Sequence, residues 1–318
     1  MYAVNDSNFE DIAIRLFHFQ AEHAPVYKHF LQNLNVNPSK INRLDGIPFF
    51  PISFFKTQKI QTGLWTPETE FTSSGTTGMQ TSRHLVADLN FYLRHAEKTF
   101  ERFYGSLQHY HILALLPAYL ERTGSSLTAM MDHFIRQSKS VHSGFYLYNH
   151  KQLIEKIEAL KSGTRKILLW GVSFALLDLA ELVELDLSRA IVMETGGMKG
   201  RRLELTRQEL HTFLSQRFNT PVIHSEYGMT ELMSQAYSAG RGYYKLPPWM
   251  KVVIREINDP FSYLLNRAGG INVVDLANFH SCAFIETQDL GKTTETGEFE
   301  ILGRMDNSDV RGCNLLVE

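Results

Sequence analysis

The sequence has very little cysteine: two residues in 318, Cys282 and Cys313. That excludes a fold stapled by disulfides and fits a reducing compartment. No cationic stretch leads into an apolar core at the N-terminus, so no secretory leader is expected. There is no long hydrophobic run. The longest, Ile167 to Leu177, stops at Asp178, well short of the roughly 20 residues a membrane-spanning helix needs. Neither charge is in excess: 32 Lys and Arg against 34 Asp and Glu leave a net charge of −2. Nucleic-acid binding through a basic face is therefore not expected. Repeats are absent, and so is any G-x-x-x-x-G-K-[ST] phosphate loop. What remains is the expectation of a soluble, cytoplasmic, globular chain. With about 150 residues per domain, it has room for two domains or one large α/β unit.

What is present alternates. Ser7-Asn8-Phe9-Glu10 has the form of a capping box, and Phe9, Ile12, Leu16 and Phe19 follow at helical spacing. Residues 47–56, rich in Phe and Pro, read as a buried connecting segment. Helices are expected over 88–104 (stopped by Gly105), 126–138, 151–160, 174–183 and 206–217, and strands over 111–116, 166–170, 190–194 and 221–224. Near-continuous apolar strands alternating with helices predict an α/β fold: a doubly wound, mostly parallel sheet flanked by helices. Short strands over 251–256, 270–275, 282–287 and 298–302 predict a smaller β-rich subdomain after it. The expected divisions are 1–70, an N-terminal segment packed on the core; 71–250, the α/β core; and 251–318, the β-rich part with its tail. Ligands of open parallel sheets sit at strand carboxyl ends, which directs attention to the loops after Trp170, Glu194 and His224.

The most informative stretch is Thr72-Ser73-Ser74-Gly75-Thr76-Thr77-Gly78. Glycines let backbone approach a ligand, and successive N–H groups with hydroxyls form an anion-binding concavity. The same composition also suits a solvated turn. Further motifs follow in order: Ser225-Glu226-Tyr227-Gly228-Met229-Thr230-Glu231, then Asp289 within 286–291, then Gly303-Arg304-Met305-Asp306.

Together these resemble the signature motifs of the adenylate-forming superfamily of acyl- and aryl-activating synthetases. Residues 48–56, Thr195-Gly196-Gly197-Met198-Lys199, and the ending Val310-Arg311-Gly312-Cys313-Asn314-Leu315 are similar to the LuxE-type acyl-protein synthetases within it. The resemblance implies ATP-dependent formation of an acyl-adenylate with Mg²⁺, then acyl transfer to a thiol. On that basis Ser73, Ser74, Gly75, Thr76, Thr77 and Gly78 would hold the β- and γ-phosphates, Thr230 the α-phosphate, and Glu231 the metal. Tyr227 and Gly228, with Gly196 and Gly197, would frame the adenine. Asp289 would take the ribose and Arg304 would lie near ribose and phosphates. Cys313 would accept the acyl group, while Cys282, in an apolar strand, reads as inert core. The substrate would be a carboxylic acid, fatty or aromatic, and an acyl reductase or other acyl-accepting protein is the implied partner.

Two departures stand out. The superfamily's Pro-Lys pair after the loop is replaced by Met79-Gln80-Thr81-Ser82-Arg83, which nominates Arg83 as the substitute cation. The sequence also ends soon after the hinge-like motif, so the superfamily's C-terminal domain and its lysine are absent from it; Lys199 or a partner subunit is the alternative source of charge. Simpler roles exist for single residues: Tyr227 as a core aromatic, Glu231 as a helix N-terminal acid, Cys313 as a bystander on a tail. Two other functions are open. Gly171-Val172-Ser173-Phe174-Ala175 between a strand and a helix resembles a nucleophile elbow, making Ser173 the candidate serine of a hydrolase or acyltransferase. A non-catalytic nucleotide-binding partner subunit is the second. The acid pocket is expected near 116–119 and 170–174, apolar and with no cation for a second carboxylate.

Overall fold

The computed structural model describes residues 1–73, 80–116, 124–146, 148–196 and 205–305. The chain opens with helices α1 (Phe9–His23) and α2 (Pro25–Asn33), a two-residue strand β1 (Phe50–Pro51) and a short helix α3 (Phe54–Thr57). The capping box expected at Ser7 does not form. Asn8 caps α1 without a side-chain bond, the Ser7 N–H donates to Asn5 Oδ1 at 3.0 Å, and Glu10 Oε1 instead accepts the Leu44 N–H at 2.9 Å. Helix α2, not foreseen, starts on a proline, which costs nothing where the first turn has no N–H partner. The aromatic segment is buried as expected, with Ile47, Phe49, Phe50 and Phe55 in the core.

Strands β2 (Thr69–Thr72) and β3 (Arg83–Val86) pair as an antiparallel hairpin in the register Thr72↔Arg83. The α/β core follows: α4 (Leu89–Tyr104), β4 (Tyr110–Leu115), α5 (Ser126–Ser138), β5 (Gly144–Tyr146), α6 (His150–Leu160), β6 (Lys166–Val172), α7 (Ser173–Leu182), β7 (Ile191–Thr195), α8 (Arg207–Arg217), β8 (His224–Tyr227) and β9 (Ala236–Ser238). Helix α4 starts where Asp88 accepts the Phe91 N–H at 2.7 Å, and stops at Gly105, which has φ of +75°. The sheet order is β5-β4-β6-β7-β8-β9, parallel except for β9. Direction reverses after β5, so right-handed crossovers put α5 on one face and α6, α7 and α8 on the other. That is the doubly wound sheet the sequence predicts. Its centre is apolar, with Trp170 fully buried against Phe100, Phe134 and Tyr237.

One strand is displaced from its expected place. The strand expected over 221–224 forms over His224–Tyr227. Pro221 has no N–H for the ladder, whereas Glu226 pairs with Thr195 on one side and Tyr237 on the other. Ser225, Glu226 and Tyr227 therefore belong to the strand, and the loop starts at Gly228.

The remainder is antiparallel: β10 (Tyr243–Tyr244), β11 (Met250–Arg255), β12 (Tyr263–Leu264), β13 (Gly269–Asp275), β14 (Phe284–Thr293) and β15 (Phe299–Arg304), in the order β10-β15-β14-β13-β11-β12. Strand β1 joins it in parallel beside β14. Aromatic side chains of α1, α2 and 47–55 pack on this sheet rather than on the parallel one: Phe17 meets Phe284 edge-on at 6.0 Å, and the Tyr27 hydroxyl donates to Pro48 O at 2.6 Å. Tyr237 and Lys245 exchange backbone hydrogen bonds of 3.2 and 2.8 Å. This carries the chain from one sheet to the other and fixes β8 beside β14 and β15. No helix among the described residues is long and apolar enough to cross a membrane.

Candidate active site

The hydroxyl-and-glycine stretch lies in the sequence between the paired strands β2 and β3. At its base the Ser73 N–H donates to Ser82 O at 3.0 Å, and the Ser82 N–H donates to Ser73 Oγ at 2.8 Å. Ser74, Gly75, Thr76, Thr77 and Gly78 lie outside the described residues, as do Gly197, Lys199 and Cys313. Arg83 is not a spare cation. Its guanidinium grips Glu70 on the adjacent strand in a two-point pair of 2.8 and 2.7 Å, and that pair holds the Glu70 carboxyl below the usual range.

The far end of β8 meets the antiparallel sheet. Tyr227 is buried, its ring edge-on to Phe299 at 5.4 Å and to Tyr244 at 6.0 Å. It is a core aromatic by its ring, but its hydroxyl donates to Asp289 Oδ2 at 2.9 Å. Asp289 and Arg304 are paired across β14 and β15, and Arg304 Nε lies 3.5 Å from Asp289 Oδ1. Burial pushes the Asp289 carboxyl up, while the Tyr227 hydroxyl and Arg304 pull it back. Arg304 itself projects, with its side chain 76% exposed while it pairs with the buried acid. Gly196, at the end of β7, has a φ of +68°, the left-handed conformation glycine tolerates.

Thr230 and Glu231 sit on a stretch that is not helical, so Glu231 is not a helix N-terminal acid. Side chains fix that stretch instead. Buried Asp275 accepts the Met233 and Ser234 N–H groups at 2.9 Å each and the Ser234 hydroxyl at 2.6 Å. Asn278 Nδ2 donates to Glu231 O at 2.7 Å, and His84 of the hairpin bonds Thr230 O through Nδ1 at 2.7 Å. Burial pushes His84 down to about 4, so it is a neutral donor at physiological pH. The Glu231 carboxyl is buried and raised by that burial, with the Ser82 hydroxyl, Arg304 and Lys56 acting to lower it. Hairpin, post-β8 segment and β13 thus converge on one acid. Among the described residues no group of three or more His, Cys, Asp or Glu could hold a metal. A single carboxylate still fits magnesium, which commonly binds one or two protein carboxylates and completes its shell with phosphate oxygens and water.

Two acids the sequence reading passed over sit at the ends of the central strands. Glu194, buried at the end of β7, accepts the Ser173 hydroxyl at 3.0 Å and lies 3.5 Å from His211 Nε2 and 3.9 Å from Arg207 Nε. Burial pushes it up, but His211, Arg207 and Ser225 outweigh burial and leave it below the usual range. Arg207 also lies over the Tyr244 ring, 5.1 Å from its centre. Glu226 accepts the Thr195 hydroxyl, and burial, with Glu194 nearby, raises it to about 7. For Glu194 an acid near the end of an otherwise apolar strand was the available signal; for Glu226 there was none beyond its place in the motif.

Two sequence expectations fail here. Ser173 is 2% exposed and its hydroxyl donates to Glu194, not to a histidine, so it lacks the presented oxygen and adjacent base of an elbow nucleophile. Of the apolar acid pocket expected near 116–119 and 170–174, the described part is solid core: Leu116, Trp170, Val172 and Phe174 are buried, and a Cβ on Gly171 would fall 2.8 Å from Leu176, while 117–119 lie outside the described residues.

No protein-family model matches the sequence, and no curated protein is detectably similar to it. Solved structures are similar in fold. ATP-bound MatB from Rhodopseudomonas palustris superposes with a TM-score of 0.56 at 17% identity, over 74% of this chain and 47% of that one. The luciferase-like enzyme of the mealworm Zophobas morio gives 0.53 at 18%, over 77% and 59%. A long-chain-fatty-acid–CoA ligase from Archaeoglobus fulgidus gives 0.53 at 16%, over 74% and 51%. The chain spans about half the length of MatB and of the archaeal ligase. At these identities the likeness is one of fold, and the fold is the one the motif resemblance implies.

Proposed function

We propose that this chain activates a carboxylic acid with ATP as an acyl-adenylate and passes the acyl group to the Cys313 thiol. A carboxylate oxygen attacks the α-phosphorus and the bond to pyrophosphate breaks. The thiolate then attacks the acyl carbon, AMP leaves with the C–O electron pair, and the thiol proton goes to solvent. The observation that carries this reading is the meeting of Tyr227, Asp289 and Arg304, with Glu231 held at the foot of the hydroxyl-and-glycine hairpin.

The first step joins two anions, so it needs aligned donors and cations more than a base. Residues 73–78 would supply donors to the β- and γ-phosphates and Thr230 to the α-phosphate. Asp289, on a rigid strand and already oriented by Tyr227, would accept the ribose hydroxyls. Arg304, exposed at the edge of this cluster, would meet developing charge. Glu231 would hold Mg²⁺ against the phosphate oxygens, where the ion offsets their charge. An acyl reductase or other acyl-accepting protein to unload the thioester completes the reading.

The test is acid-dependent ATP–pyrophosphate exchange over a panel of carboxylic acids. Glu231→Ala is expected to lower exchange at least a hundredfold. Cys313→Ser is expected to keep exchange and lose the covalent acyl label. Exchange absent for every acid in the unaltered protein overturns the adenylation; label persisting in Cys313→Ser overturns the acceptor.

A further inference from the structure

We infer that Glu226 selects the acid: the carboxylic acid activated here carries a protonated amine, and the Glu226 carboxylate receives it. This rests on the adenylation reading above and adds the substrate class.

Glu226, the next-to-last residue of β8 and two before Gly228, points to the side of the sheet opposite Glu194, because Glu194 is level with Ser225 and Thr195 with Glu226. Its carboxyl lies beneath the exposed backbone of Gly228. A Cβ on Gly228 would fall 2.4 Å from Glu226 Oε1 and 3.5 Å from Gln235 Cγ. The missing side chain therefore lets that oxygen lie directly under the exposed start of the motif loop.

The surroundings are polar and incomplete. One carboxylate oxygen is occupied by the Thr195 hydroxyl. Gln235 Oε1 and the Tyr237 hydroxyl are buried without hydrogen-bond partners, and Tyr237 is near enough for Glu226 to act on its ionisation. Among the described residues no Lys, Arg or His forms an ion pair with Glu226, whereas Glu194 has both His211 and Arg207. A buried carboxylate that no described Lys, Arg or His pairs, with an unfilled amide oxygen and an unpartnered hydroxyl nearby, is costly for a fold that gains nothing from it. Such groups are concentrated where a ligand completes them.

An ammonium group supplies what is missing. It brings the absent positive charge, one N–H for Glu226 Oε1 and another for Gln235 Oε1. A second carboxylate is repelled by Glu226 and Glu194 together. A bare hydrocarbon leaves both acceptors unpaired, the situation in which polar sites reject an analogue by large factors.

Matched pairs test this: amino acids of several chain lengths, such as 6-aminohexanoate, against the same acids without the amine, in ATP–pyrophosphate exchange. The unaltered protein is expected to favour the amine-bearing member at least a hundredfold in kcat/KM. Glu226→Gln is expected to collapse that ratio to under tenfold, chiefly through the KM of the amine-bearing acid. Exchange within threefold for both members of every pair overturns the selection while leaving adenylation intact. Exchange with no acid at all removes adenylation, and the selection with it. The ratio in the unaltered protein needs no variant to fold, so the outcome is decisive either way.

Discussion

Two buried glutamates on neighbouring strands titrate in opposite directions. On the α8 side of the sheet, Glu194 is surrounded by Ser173, Ser225, His211 and Arg207, and it is held ionised. On the other side, Glu226 has the Thr195 hydroxyl and a raised pKa of about 7. Burial is nearly the same for both, 4% and 7% exposed, so desolvation does not separate them. Counter-charge does. The first acid has what a structural buried ion needs; the second has no charged partner among the described residues.

The largest effect that can break this comparison is on Glu226. A carboxyl raised from 4.5 to about 7 is ionised in the unfolded chain across that window while still protonated in the fold. Its cost to stability is absent below pH 4.5, grows as pH rises, and is fully present above 7. Glu226→Gln removes it. The expected gain is about 3 kcal/mol at pH 8 and none near pH 4, read by urea unfolding at both values. No gain at pH 8 would mean that Glu226 has a counter-charge and that its difference from Glu194 is false.

Glu194 should answer with the opposite sign. Its folded pKa is depressed, so its contribution is present above pH 4.5 and is lost as pH falls through the folded value. Glu194→Gln is expected to cost about 2 kcal/mol at pH 7, the worth of hydrogen bonds made to a charged group in the interior. The loss should shrink in acid. A gain in stability at pH 7 would place both glutamates in the same class.

Much of the frame was legible in the sequence. Helices α4, α5 and α8 fall within a residue of expectation, because their caps are local: Asp88, Ser125 and Thr206 each accept an N–H three residues on. The parallel strands were legible as apolar runs. Strand β8 was misplaced by three residues because His224-Ser225-Glu226 has no apolar run to announce it; pairing on both sides, a long-range fact, makes it a strand. The β2–β3 hairpin was missed for the same reason, its loop being the louder signal. Tyr227, Asp289 and Arg304 were nominated by motif and do meet, though nothing local dictates that a tyrosine of one sheet should bond an aspartate of the other. The difference between Glu194 and Glu226 was invisible: both are acids at the end of a strand, and only the elements packed on opposite faces distinguish them.

The smallest expected effect tests whether the joint between the sheets resembles the Glu194 side, satisfied and structural, or the Glu226 side, awaiting a ligand. Tyr227→Phe deletes the donor to Asp289 and nothing else of the ring's packing on Phe299 and Tyr244. Burial keeps that phenol far above its usual pKa, so it is a donor at every working pH. Asp289 retains Arg304 at 3.5 Å, which limits the damage. The expected cost is about 1 kcal/mol, the net worth of one partly buried hydrogen bond. Since Tyr227 orients the carboxylate proposed to take the ribose, the KM for ATP should rise several-fold in pyrophosphate exchange while kcat changes little. A raised KM with unchanged stability would make the bond a positioning device, closer in kind to Glu226. Lost stability with an unchanged KM would make it a rivet between the sheets and would remove Asp289 from the nucleotide.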